Sequence, residues 1–375
     1  MLSRLTALSS VLFALLVAAC DGPGHTDAGS VDAGTVDAGA SDAGTTPDAG
    51  PPFMLVPPDE LELPPGTAPV ATPADVVFTT IPYGPHAQQV MDAFIHPDAA
   101  TPSPVVIYIH GGGFIGGNRT EPYNGGTAAG LTYLLEQGVA YFSIDYRLLT
   151  LTTETEGVKK CLGDAQRALQ FIRYYAEPLN IDPDRVALVG ASAGAGTSLW
   201  LLFHDDLADP SGDVLAQQST RVRTAVVAAT QATYELFRWP PDVFSPTYPL
   251  TIDGLLMDTL NAIQVTTFYG VPFELSNDPQ ALQDALSTPE YVAYRQDCDM
   301  LALMSADDPP FFARNEAPNA APGMAGFDLL HHPLHAQALA TRASEVGLDA
   351  VVEAPALSLG GSESSSQFLL DALAP

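Results

Sequence analysis

Two glycine-flanked turns and a cluster of histidines are the parts of this chain whose residue types and spacing can do chemistry. Gly190-Ala191-Ser192-Ala193-Gly194 has the form GxSxG, between the aliphatic run Val186–Val189 and an apolar helical stretch. Strand, tight turn and helix is the context that holds a serine at the tip of a strained turn, and the glycines supply the small neighbours this requires. Upstream, His110-Gly111-Gly112-Gly113-Phe114 directly follows another buried-strand run, Val105–Ile109. Backbone N–H groups in such a loop can point at a developing oxyanion, since no Cβ blocks the approach. The two motifs together suit acyl transfer: Ser192 attacks a carbonyl carbon, and the N–H groups of Gly112, Gly113 and Ala193 hold the charge that develops on its oxygen.

A serine hydroxyl needs a base, and the base needs an acid to orient it. The last histidines of the chain are His331, His332 and His335, in Asp328-Leu329-Leu330-His331-His332-Pro333-Leu334-His335. They follow a predicted strand at Pro310–Arg314 and precede a helix, which brings them out on the same sheet edge as the two glycine turns. His332 is the expected base, with His331 as the alternative; the same residues can instead cap and pack the helix. Glu316, just past the strand's carboxyl end, is the expected acid, with Asp328 the second candidate. Asp307 and Asp308 precede the strand and fall at the wrong edge. Three histidines at relative positions 1, 2 and 5 without a fourth ligand make a poor zinc site, so neither metal nor cofactor is expected.

With Asp145-Tyr146-Arg147 after a strand and Asn180-Ile181-Asp182-Pro183-Asp184-Arg185 before the nucleophile strand, the chain resembles the α/β-hydrolase superfamily. Within it, the similarity is to the HGGG-bearing esterases related to hormone-sensitive lipase and to feruloyl/acetyl esterase-like proteins, and it runs from about Tyr83 to Val227. The resemblance implies an α/β-hydrolase fold and carboxylic-ester hydrolysis through an acyl-enzyme on Ser192, with a small-molecule ester as substrate. It also implies an acid after the strand that follows the cap and a histidine after the last strand. This chain departs from the second expectation: the last predicted strand, Leu348–Glu353, is followed by residues 355–375, PALSLGGSESSSQFLLDALAP, which contain no histidine. A second reading therefore stands beside the first, that of a catalytically weakened hydrolase fold used as a binding module.

The elements that must position these residues alternate. Strands are predicted at Asp75–Thr80, Gln88–Phe94, Val105–Ile109, Val139–Ile144, Val186–Val189, Val222–Ala229, Pro310–Arg314 and Leu348–Glu353. Helices are predicted at Gly126–Gln137 and where Val158, Leu162, Ala165, Leu169, Ile172 and Ala176 recur at spacings of three and four. Such alternation gives a mainly parallel central sheet with helices on both faces, whose functional edge is the carboxyl end of the strands. The aromatic, proline-rich span at about 231–300 is too long for a structureless loop and reads as an inserted cap over the site.

Ahead of this domain, assigned to residues 74–375, residues 1–19 have the layout of a signal peptide. Val17-Ala18-Ala19-Cys20 resembles a bacterial lipobox, with Cys20 as the lipidated residue. Residues 20–73 carry Asp-Ala-Gly at Asp27, Asp32, Asp37, Asp42 and Asp48, a composition that cannot bury enough apolar surface to order itself and so predicts a disordered tether. As a flexible coil it would hold the domain on the order of 40 Å from its anchor. The expectation is an exported protein, lipid-anchored to the cell envelope. The net charge of −30 argues against nucleic acid and against electrostatic attraction to anionic lipid, which leaves membrane contact to the acyl chains. With Cys20 used by lipid, Cys161 and Cys298 are either one disulfide or two buried thiols.

Overall fold

The structure, a computed structural model, describes residues 53–245, 247–321, 327–361 and 363–375, without the side chains of residues 259, 327 and 328. The account concerns the unit Val56–Pro375. Cys20 and the expected signal peptide lie outside the described residues.

Eight strands form one sheet in the order β1-β2-β4-β3-β5-β6-β7-β8. They are β1 Val77–Pro82, β2 Val90–Ile95, β3 Ser103–Ile109, β4 Ala140–Ile144, β5 Ile181–Ala191, β6 Thr224–Ala228, β7 Phe311–Arg314 and β8 Ala350–Glu353. β1 and β2 pair antiparallel, and β2 joins β4 antiparallel; from β4 across to β8 every pairing is parallel. The central strands are buried on both faces, which is why they read as unbroken aliphatic runs. On β3, Val106 and Tyr108 join one core with Leu131, Leu134, Tyr141 and Leu369. Val105, Ile107 and Ile109 face the other way and are equally buried.

The helices are α1 Gly125–Glu136, α2 Val158–Tyr174, α3 Ala193–Phe203, α4 Ile252–Met257, α5 Thr259–Tyr269, α6 Pro279–Leu286, α7 Pro289–Asp297, α8 Met300–Leu303, α9 Phe327–Leu330, α10 Pro333–Val346 and α11 Ser365–Ala372. α1 and α11 supply the core of the first face. α3 packs on β3, β5 and β6 and is buried along its whole length, as expected of a helix apolar all round.

Between β6 and β7 the chain leaves the sheet for α4–α8. Its base is tied by side chains: the Tyr269 hydroxyl donates to the Tyr234 carbonyl (2.6 Å) and accepts from Leu236 N–H (3.1 Å). Buried Arg295 pairs with Glu235 and lies over the Phe237 ring at 4.0 Å.

The expected tether is too long at its carboxyl end. The Tyr175 hydroxyl donates to the Val56 carbonyl (2.6 Å), Gly66 N–H donates to Phe78 O (2.7 Å), and Ala68 and Val70 pack on the core. The Asp-Ala-Gly repeat ends at Gly50, and beyond it apolar residues recur often enough to bind the segment to the domain. Cys161 and Cys298 are two free, buried thiols, both pushed up by burial.

Candidate active site

Ser192 sits between the end of β5 and the start of α3, at φ 52° and ψ −117°. Side chains avoid that region at a cost of roughly 1–3 kcal/mol. The surrounding backbone leaves no alternative. A Cβ on Gly190 would lie 2.4 Å from the Gly194 carbonyl oxygen, and one on Gly194 only 1.9 Å from that of Ile109. Ser192 N–H is held by Ala228 O of β6 at 3.0 Å, and the Tyr234 hydroxyl donates to Ala193 O at 2.9 Å.

The glycine loop runs beside this elbow: a Cβ on Gly111 would come within 3.4 Å of the Ser192 Cβ. Gly112 and Gly113 take φ of 95° and 61°, and a Cβ on Gly112 would meet Gly116 O at 2.3 Å, so glycine is required there on both counts. The loop is pinned from behind. Gly111 N–H donates to Glu121 (3.2 Å), the Tyr146 hydroxyl lies 3.0 and 3.2 Å from the carbonyls of His110 and Gly111, and the His110 ring stacks on Tyr146 at 4.1 Å. Burial lowers the His110 pKa, which keeps that ring neutral. The N–H of Ala193 belongs to the first turn of α3, where backbone donors have no intrahelical acceptor. A helix N-terminus and an open glycine loop thus converge beside one hydroxyl, an arrangement suited to holding negative charge.

The imidazole on that hydroxyl is His331: its Nε2 lies 2.8 Å from Ser192 Oγ. The sequence expectation of His332 is corrected by one residue, and the reason is helix capping. Pro333 occupies the first position of α10, a favoured place for proline, which makes His332 the N-cap residue. Its Nδ1 accepts from Leu334 N–H (3.2 Å), and its Nε2 contacts Ala320 O (3.1 Å). Since a backbone N–H can only donate, Nδ1 carries the lone pair, Nε2 carries the hydrogen, and both nitrogens are committed. Pro333 was the signal that could have separated the two histidines. Burial brings the pKa of His331 down to about 4, and that of fully enclosed His335 to about 3. The three rings serve three different partners.

Glu316 does not join Ser192 and His331. Its carboxylate is 69% exposed and pairs with Arg314 at 2.8 Å. The side chain of Asp328, the other candidate, lies outside the described residues. Sequence reasoning missed Glu121 behind the glycine loop, and Gln231 and Asn315 at the ends of β6 and β7. No motif marks any of them.

A family model, BD-FAE, matches residues 91–246, which include both glycine motifs. The chain is 27% identical over 147 residues to a probable isoprenylcysteine alpha-carbonyl methylesterase of Arabidopsis thaliana, 39% of this chain and 33% of that protein. It is 32% identical over 127 residues to the fumonisin B1 esterase of Sphingopyxis macrogoltabida, 31% of this chain and 22% of that one. The matched stretch thus spans a third or less of these curated relatives. Among solved structures, a truncated carbohydrate esterase from gut microbiota superposes with a TM-score of 0.52 at 16% identity, over 80% of this chain and 99% of that one. Sheet order, the strained Ser192 turn and the structural match together show that the chain has the α/β-hydrolase fold.

Proposed function

We propose that the chain is a carboxylic-ester hydrolase that works through an acyl-enzyme on Ser192 with His331 as general base. The observation that carries this is the 2.8 Å contact between Ser192 Oγ and His331 Nε2, within the reach a proton transfer needs. Neutral His331 takes the hydroxyl proton as Oγ bonds to the ester carbonyl carbon. The carbonyl oxygen becomes an oxyanion beside the N–H groups of Gly112, Gly113 and Ala193. On collapse the imidazolium gives its proton to the departing alcohol oxygen, leaving an ester on Ser192. A water, deprotonated by the same ring, then attacks that ester, and Ser192 recovers its proton as the acid leaves. The binding-module alternative rested on the missing histidine after β8, and an imidazole already on the serine removes that ground. That the similar proteins are named as esterases supports the ester class of substrate.

The test is labelling with a fluorophosphonate probe alongside hydrolysis of p-nitrophenyl acetate. One phosphonyl group per chain on Ser192 is expected, with both activities lost in Ser192→Ala. A folded wild-type protein that takes up no probe would overturn the reading.

We further propose that the mature chain is held to a membrane by acyl groups on Cys20, supported by the lipobox-like Val17-Ala18-Ala19-Cys20 and the Asp-Ala-Gly stretch behind it. Two or three acyl chains anchor stably where one binds only marginally. Cys20→Ala should move the protein from the membrane fraction to the soluble one, and an intact mass with an unmodified N-terminus would remove the proposal.

A further inference from the structure

His331 lies in a short irregular stretch between α9 and α10, whose own backbone bonds are a long one from His332 N–H to Leu329 O (3.5 Å) and the first of α10, from His335 N–H to His332 O (3.0 Å). The carbonyls on either side of it are nevertheless each taken by a buried side chain from a different element. Gln231, just past β6, donates from Nε2 to Leu330 O at 2.7 Å. His335, on α10, contacts Leu329 O through Nε2 at 2.9 Å. Its Nδ1 accepts from Ala232 N–H at 3.1 Å, which fixes the hydrogen on Nε2 and makes that nitrogen the donor. Asn315, at the end of β7, reaches His332 O at 3.4 Å. The same amide exchanges two hydrogen bonds with the Thr230 backbone, at 2.9 and 3.0 Å. Gln231 is 4% exposed, and His335 and Asn315 are wholly buried.

These contacts converge on residues 230–232. A few residues earlier, Ala228 O holds Ser192 N–H. One short span at the carboxyl end of β6 therefore touches both the elbow and the segment that carries the imidazole, so it sets the separation of the two reacting groups. We infer that Gln231, His335 and Asn315 are positioning residues that clamp the carbonyls of Leu329, Leu330 and His332 and so hold His331 in register with Ser192. The inference rests on the reading of His331 as the base. If these side chains did no more than satisfy buried carbonyls, their loss would cost stability and leave the chemistry of the folded fraction unchanged.

Gln231→Met separates the two, because it keeps the side chain's length and removes its donor. A misplacement of about 1 Å can cost on the order of 10²-fold in rate. The expected result is a kcat on p-nitrophenyl acetate lower by about 10- to 100-fold with KM within about threefold. Fluorophosphonate labelling should slow in the same proportion yet still reach one phosphonyl group per chain. Should that variant not fold, Gln231→Leu, smaller but equally without a donor, provides the same reading. Labelling of the variant at the wild-type rate would overturn the clamp. So would a lower end point that accounts for the whole fall in kcat, which would mark partial unfolding. A wild-type protein that takes up no probe fails at Ser192 itself, a result distinguishable from either.

Discussion

Replacing His331 with alanine should slow p-nitrophenyl acetate hydrolysis by about 10²–10⁴-fold, the range that general-base help supplies, with KM little changed. His332→Ala should leave turnover per labelled Ser192 within about threefold while lowering stability by roughly 0.5–2 kcal/mol, since what it removes is a helix N-cap. Glu316→Gln should do neither, because an exposed carboxylate paired with a surface arginine contributes little. Turnover numbers measured on the three variants, each normalised to phosphonylated serine, check all of this at once. Wild-type turnover in His331→Ala would discard the 2.8 Å contact as the reacting pair.

The contrast between these neighbouring histidines marks where the sequence stops being readable. The central strands β3–β6 are legible because a sheet covered on both faces demands apolar runs, and such runs stand out from the chain around them. The glycine turns are legible for a harder reason: a side chain at Gly190, Gly194 or Gly112 would run into backbone, so the residue type is forced. Nothing comparable forces the base. Which of two adjacent rings faces Ser192 depends on where α10 begins, a one-residue matter that Pro333 decides. Glu316 is expected from its place after β7 alone, and position says nothing about where a side chain on an exposed turn points. Gln231 and Asn315 were invisible because a buried amide is recognised by the carbonyls it meets, which lie some 17 to 99 residues away in sequence.

The folded state should also weaken steeply in mild acid. His331 and His335 are kept neutral by burial, with pKa values brought from 6.5 to about 4 and about 3. The unfolded chain takes up protons on both as pH falls through about 6.5, while the folded chain takes up neither until its own lower values are reached. Stability is therefore fully present above about pH 6.5 and is lost progressively below it. The slope is about 1.4 kcal/mol per pH unit for each histidine, so roughly 3 kcal/mol should disappear between pH 6.5 and 5. Urea unfolding at the two pH values gives the difference directly, and His335→Gln should flatten the dependence by about half. A folding free energy that stays within about 1 kcal/mol across the interval would show that the two rings are not held neutral. Catalysis should be less sensitive over that range, because neutral His331 persists in the folded protein down to about pH 4.

The turn after β8 closes on itself through a single bridge between Ala354 and Leu359, and the imidazole hangs instead from the connection between β7 and α10. Ser192, the glycine loop and the proposed base His331 thus all lie upstream of β8. β8 still reaches that connection through its backbone, since Asn315 N–H donates to Glu353 O at 2.9 Å, so a segment exchanged downstream of α10 must keep this strand in register with β7.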